Sequence, residues 1–209
     1  YLNEAVFFNY LFEINNSNYK ILTGNIKYTS LDKNFELFLN NSKRAINGFK
    51  TKQTIPYYYL LFSNACIQKS LLLKNSFDEK FVGYGGSEME LAYRLSLNNK
   101  ILFIPNTFIT RLNHPSLNQH YNRIESFGKN NLYFLFQKID KRDLPKKISF
   151  FFLFFNKFSF LFLPFFYTFR WFFSCSLNFF PNIIRLKLIK CVLGLSMVIG
   201  IVQNKSLYK

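Results

Sequence analysis

The residues of this chain whose types and spacing suit chemistry lie between Phe77 and Leu95, in the run FDEKFVGYGGSEMELAYRL. Gly83, Gly85 and Gly86 free the backbone for positive φ and let a ligand approach closely. Ser87 is placed to cap a helix, and Glu90, three residues on, to complete a capping box with it. Leu91 and Leu95 then recur on one helix face, with Ala92 beside them. Glu88 falls in the first turn, where the helix dipole favours an ionised carboxylate. A carboxylate held there, next to a glycine-rich loop, has the chemistry of a general base. The same Ser-x-x-Glu spacing is also a common helix start, in which Glu88 only compensates the dipole.

The elements needed to position this run read as mixed α/β. Glu4 to Glu13 is expected as a short helix with Val6, Tyr10 and Ile14 on one face, and Asn15 to Asn18 as a turn. Lys20 to Tyr28 reads as a strand interrupted by Gly24, and Leu31 to Arg44 as a helix. Tyr57 to Ile67, rich in aromatics, reads as a strand. Phe77 to Gly86 is loop, and Ser87 to Asn98 is the strongest helix. Lys100 to Ile104 reads as a short buried strand stopped by Pro105, and Tyr121 to Lys138 as a further helix. The three strands are expected in one sheet, because their apolar runs lie between helical segments.

The order of these features resembles the C-terminal, acceptor-side part of family-two glycosyltransferases of the GT-A fold. The resemblance is carried by Asn64 with Lys69, by Phe77-Asp78-Glu79, and by Gly83-Tyr84-Gly85-Gly86. Glu88, Glu90-Leu91 and Arg94-Leu95 follow, then Ile101 to Pro105 and His114; Thr23-Gly24 within Ile21 to Tyr28 fits the family's earlier strand. It covers about residues 5 to 138. The fold it implies is α/β: a partial GT-A, nucleotide-diphospho-sugar transferase-like domain over residues 1–143, followed by hydrophobic helices over 144–209.

The resemblance implies an inverting hexosyltransferase. Glu88 would be its catalytic base. Asn64, Asp78, Gly85, Gly86 and Glu90 would contact substrate, and His114 would be a ligand of a divalent metal, Mn or Mg. Each has a plainer alternative: Asn64 as a turn cap, Asp78 as a brace for its loop, His114 as a loop histidine beside Pro115. Where the family carries Glu-Asp, this chain has Ser87-Glu88, one methylene longer at the catalytic position. No Asp-x-Asp occurs in the sequence, and the resemblance places that donor-binding motif in an N-terminal half. With Tyr1 first and only Met89 and Met197 as methionines, the chain is expected to be a fragment or a processed product.

The 209 residues carry a net charge of +16, which favours an anionic partner. Cys66, Cys175 and Cys191 are few, widely spaced and form no C-x-x-C pair, as in a reducing compartment. After Asp143 the composition changes: residues 144–209 hold nine Lys or Arg and no acid. Ile148 to Phe169 is a 22-residue apolar run with one charge, Lys157, long enough to span a bilayer at ~20 residues, with a kink expected at Pro164. Cys191 to Val202, 12 apolar residues, reads as too short to span. The tail is therefore expected on an anionic membrane, at its cytoplasmic face, as a spanning helix or an interfacial pair. The partners expected are a nucleotide-sugar donor and a glycan or lipid-linked acceptor of the cell envelope. Single-stranded nucleic-acid binding is the main alternative. It is disfavoured because the aromatics cluster in acid-free runs instead of alternating with bases on a sheet. An inactive membrane-associated remnant is the second alternative.

Overall fold

The computed structural model describes residues 4–155, 157–158 and 160–204. They form two compact units: one from the segments ending at Asp78 and spanning Glu88–His114, the other from Glu79–Ser87 and the chain from Pro115 onward. The composition break at Asp143 falls inside the second unit.

In the first unit, α1 (Glu4–Asn16) buries Val6, Tyr10 and Glu13, at helical spacing. The expected turn at Asn15 and Asn16 is absorbed into the helix. There the Asn16 side chain donates to the Phe12 carbonyl at 2.7 Å and Ser17 Oγ to the Glu13 carbonyl at 2.7 Å, serving carbonyls that the helix end leaves open. Next come β1 (Ile21–Ser30) and α2 (Lys33–Asn40), the latter capped by Asp32, whose carboxylate accepts from the Phe35 amide at 3.0 Å. β2 (Gln53–Ile55), β3 (Ala65–Ile67), α3 (Lys69–Lys74), α4 (Ser87–Ser96) and β4 (Ile101–His114) complete the unit. The sheet runs β2-β4-β1-β3; β1 and β4 are parallel, and both edge strands pair antiparallel. The three expected strands do share one sheet.

Two strand expectations are corrected. Tyr57 to Ile67 is not one strand: 3₁₀ turns at Tyr57–Tyr59 and Phe62–Asn64 leave only Ala65–Ile67 extended. Leu60 and Leu61 are both buried, which a strand cannot achieve for neighbours against a single core face. Tyr57 is buried too, and its ring packs edge-on against Tyr93 at 5.3 Å. Nor does Pro105 stop β4. The strand continues to His114 because Pro105 lies in a bulge: Gly24 pairs with Ile104 and Asn25 with Phe108. The bulge takes proline, which has no amide hydrogen to donate, out of the ladder.

The second unit is helical beyond its loop: α5 (Leu117–Asn130), α6 (Leu132–Lys138), α7 (Lys146–Phe155), α8 (Leu163–Ser176) and α9 (Asn182–Asn204). The expected single helix from Tyr121 to Lys138 starts earlier, where Ser116 and Gln119 form a capping box, and breaks at Asn131. The apolar run Ile148–Phe169 is likewise divided between α7 and α8, and Pro164 sits in the first turn of α8, where proline is tolerated. The Cys191–Val202 stretch belongs to a 23-residue helix instead of standing alone. By length and composition Phe160–Phe179 and Asn182–Asn204 could each cross a membrane.

Candidate active site

α4 carries the two carboxylates singled out by the sequence, and the fold treats them differently. Glu90 is buried, and both its oxygens are held by Arg94 one turn on: Nε to Oε1 at 2.7 Å and an Nη to Oε2 at 2.9 Å. The capping-box role expected for Glu90 is therefore replaced by an ion pair along the helix. The pair reaches further. Arg94 also donates to the Ser76 carbonyl at 2.6 Å and to Asn75 Oδ1 at 3.4 Å, so it ties α4 to the residues that lead into Phe77-Asp78-Glu79. The Glu90 hydrogen bonds hold the Arg94 guanidinium above its ordinary pKa, and the charge of Asp78 adds to this. Asp78, half-buried, thus faces the field of Arg94. Glu88, by contrast, is exposed in the first turn of α4. Among the described residues no hydrogen bond or ion pair occupies its carboxylate.

Asn64 ends the second 3₁₀ turn, next to β3, and is buried. Its amide donates to the carbonyls of Asn25 at 2.7 Å and Thr107 at 3.0 Å, and its Oδ1 accepts from the Tyr10 hydroxyl at 2.9 Å. Two other asparagines serve the same bulge: Asn25 donates to the Pro105 carbonyl at 3.0 Å and Asn9 to the Asn106 carbonyl at 3.2 Å. The three carbonyls that the bulge removes from the ladder are thus satisfied by three side-chain amides, as buried backbone groups require. This assigns Asn64 to holding the sheet together. Burial pushes the Tyr10 hydroxyl well above its ordinary pKa, so it remains a donor in this network. Gly24 has no alternative residue here, because a Cβ at that position would stand 1.8 Å from the Thr107 oxygen.

His114 ends β4. Asn113, with φ of 52°, takes the left-handed turn that asparagine tolerates, and His114 is turned into the core. Its ring packs edge-on against Tyr28 at 5.2 Å and at a steep tilt against Phe35 at 5.6 Å, while its carbonyl accepts from Ser30 Oγ at 3.1 Å. An imidazole enclosed by two aromatic rings does not suit a metal ligand. Among the described residues no three His, Cys, Asp or Glu side chains group to hold an ion. The described residues assemble no ligand set of their own for the expected divalent metal, and no step is routed through one.

The glycine loop belongs to the second unit. Gly83, Gly85 and Gly86 all have positive φ, between 79° and 92°, as their type predicts. The loop is anchored by Asn131, a residue the sequence reading passed over. Its amide donates to the carbonyls of Val82, Tyr84 and Gly85 at 3.0, 3.2 and 2.8 Å, and its Oδ1 accepts from the Val82 amide at 3.2 Å. A Cβ on Gly86 would come within 2.9 Å of the Phe81 ring. Only the break that Asn130-Asn131 makes between α5 and α6 could have signalled this role. Arg94 was legible as part of the Arg94-Leu95 pattern, but its partners were not.

A cleft of about 380 Å³ in the first unit is lined by residues of α1, β1, β3 and the turn between α1 and β1, Ile14, Tyr19, Leu22 and Cys66 among them, and by none of the candidate residues. An α/β unit with a four-stranded mixed sheet, its helix α4 displaying one free and one committed carboxylate, is the class of protein that fold and site define. The chain matches no protein-family model, no curated protein and no solved structure.

Proposed function

We propose that the chain is the acceptor-side part of an inverting glycosyltransferase working at the cytoplasmic face of a membrane. The observation that carries this reading is the division of labour on α4: Glu90 is buried and held by Arg94, whereas Glu88, two residues earlier, is exposed and uncommitted. A general base must reach its proton directly and keep its lone pairs available; Glu88 meets both conditions and Glu90 meets neither.

In the proposed step, the Glu88 carboxylate takes the proton from an acceptor hydroxyl as that oxygen attacks the anomeric carbon of the sugar. The new glycosidic C–O bond forms as the bond to the nucleoside diphosphate breaks on the opposite side, so the configuration inverts and the diphosphate leaves with its electron pair. Arg94, held by Glu90 and by the Ser76 carbonyl, keeps Asp78 and its loop in place, and Asp78 is proposed to hold the acceptor. The acceptor proposed is a lipid-linked or cell-envelope glycan, which fits the apolar, basic second half of the chain.

The test is a transfer assay with the complete gene product, cell-membrane extract and a panel of labelled nucleotide sugars. Label should move from at least one donor into lipid- or polysaccharide-bound product, with release of one nucleoside diphosphate per sugar. Absence of transfer from every donor, together with salt-dependent binding to a nucleic-acid homopolymer, would replace this reading with the nucleic-acid one.

A further inference from the structure

The second unit segregates its surfaces. On α7, the turn after it, and α8, large apolar side chains face outward: Leu161 is 84% exposed, Trp171 67% and Phe172 58%. Phe179 and Ile183, at the entry to α9, are 85% and 74% exposed. In the Phe160–Phe179 segment only 17% of the most apolar window is buried. The same unit carries the exposed lysines Lys146, Lys147, Lys187 and Lys190, and no acid follows Asp143 in the sequence. The patch far exceeds the few isolated apolar residues that a soluble surface carries.

Neither long apolar segment has the surroundings of a spanning helix. The helical run Phe160–Phe179 has the length of a span, 20 residues, but Arg170 at its centre is bound to Glu125 of α5, so inserting it would carry an ion pair into the hydrocarbon. α9 is long enough, but Val198, Ile199, Gly200, Ile201 and Val202 are all buried. Five consecutive residues cover the whole circumference of a helix, so this end of α9 is enclosed by protein. Its neighbour is α5: a Cβ on Gly200 would stand 2.1 Å from the Glu125 carbonyl oxygen, and one on Gly128 2.6 Å from the Met197 carbonyl oxygen. Backbone meets backbone there. α5 is a polar helix carrying Asn122, Arg123, Glu125, Lys129 and Asn130. Glu125 receives Arg170 of α8 at 2.5 Å, Tyr167 at 2.9 Å and Gln203 of α9 at 3.1 Å. α9 could cross a bilayer only by drawing this polar helix in with it, and charged groups at that depth are heavily disfavoured.

We infer that the second unit is a one-leaflet anchor: the α7–α8 ridge, with the Phe179–Ile184 turn, lies in the headgroup and upper acyl region of an anionic bilayer, and no helix crosses it. The exposed lysines of this unit meet the anionic headgroups, and Trp171 sits where tryptophan is favoured, at the boundary between apolar and wet. The enclosed half of α9 with α5 forms the buttress that keeps the ridge flat against the surface. This rests on the membrane reading above and specifies its geometry.

Two experiments test it. In the 209-residue chain Trp171 is the single tryptophan, so its fluorescence reports depth. With vesicles of neutral lipid, or neutral lipid plus one third anionic lipid, binding should be at least tenfold tighter to the anionic set and should weaken with salt. Lipids brominated high on the acyl chain should quench Trp171 more than lipids brominated near its end. Leu161→Asp with Phe172→Asp, both at exposed positions, should weaken binding about tenfold or more with an unchanged circular dichroism spectrum. For topology, Asn182→Cys in a chain whose three cysteines are serine is expressed in cells and tested in inverted membrane vesicles. A membrane-impermeant maleimide should label it without detergent. Labelling only after detergent, or stronger quenching by the deep probe, overturns the one-leaflet geometry while leaving membrane association intact. Failure to bind any vesicle and absence from the membrane fraction of cells overturns the membrane reading itself.

Discussion

Removing Arg94 should destabilise the first unit much more than removal of an ordinary helix-surface charge. An exposed pair at this (i, i+4) spacing is worth about 0.3–0.5 kcal/mol. Removing one partner of a fully buried pair costs about 3–5 kcal/mol, because the other charge is left unpaired out of water. The Glu90 side chain is 4% exposed and that of Arg94 30%, so water can partly replace the guanidinium but not reach the carboxylate fully. Both Glu90 oxygens lose their donor, at 2.7 and 2.9 Å, and the Ser76 carbonyl loses another at 2.6 Å. Discounting the buried-pair figure for the exposed guanidinium places Arg94→Ala at roughly 2–3 kcal/mol. Glu90→Gln keeps shape and one acceptor and should cost about 1–2 kcal/mol. Arg94→Lys cannot make the two-pronged contact and should fall between wild type and Arg94→Ala. Urea unfolding followed by far-ultraviolet circular dichroism measures all three, and the Glu90→Gln/Arg94→Ala double variant measures the coupling, expected to be at least ~1 kcal/mol. A loss below about 0.5 kcal/mol for Arg94→Ala, or strict additivity in the cycle, would show that the contact is no more than a surface pair and that Asn75 and Ser76 are held by something else.

Three further substitutions test the scaffold. Gly24→Ala places a Cβ 1.8 Å from the Thr107 oxygen in the β1–β4 bulge; it should cost about 3 kcal/mol or more, seen as a large drop in unfolding midpoint or loss of soluble protein. Asn131→Ala removes the side-chain amide that serves three carbonyls of the glycine loop; it should speed proteolysis within Val82 to Gly86 and cost about 1–3 kcal/mol. Gly200→Ala drives a Cβ into the Glu125 carbonyl, 2.1 Å away, and should separate α5 from α9; faster amide exchange in both helices is the readout, with β1 and β4 unaffected.

The parts of the fold that were legible in the sequence are those where local pattern and tertiary demand agree. α1 and α4 show apolar residues at helical spacing, and the β-prone stretches Ile21–Ser30 and Ile101–Ile104 lie on the two central strands of the sheet, largely buried. Legibility failed where a distant partner decides the outcome. The aromatic Tyr57–Ile67 run has strand propensity, yet packing of Tyr57 against Tyr93 and burial of both Leu60 and Leu61 select turns. Pro105 reads as a strand end unless one knows that Asn9, Asn25 and Asn64 stand ready to receive the carbonyls of the bulge. The site shows the same division. Glu88 and the glycines could be singled out, because helix starts and positive φ are local properties. Glu90 was read as a cap from its spacing to Ser87, but the spacing to Arg94 wins: two charged hydrogen bonds in a buried place outweigh one bond to a backbone amide. His114 carried a metal-ligand expectation that its enclosure by Tyr28 and Phe35 does not support.

The most direct test of the central claim compares Glu88→Gln with Glu90→Gln in the complete gene product, in the sugar-transfer assay. Glu88→Gln keeps size and hydrogen bonding but removes basicity; on an exposed side chain it should leave the unfolding midpoint and nucleotide-sugar binding unchanged. Transfer should fall by on the order of a hundredfold or more, as loss of a general base requires. Glu90→Gln should lower stability while retaining most of the transfer rate at a temperature where the protein stays folded. Near-wild-type transfer by Glu88→Gln, with transfer abolished in a folded Glu90→Gln protein, would contradict the account and place the base at the buried carboxylate.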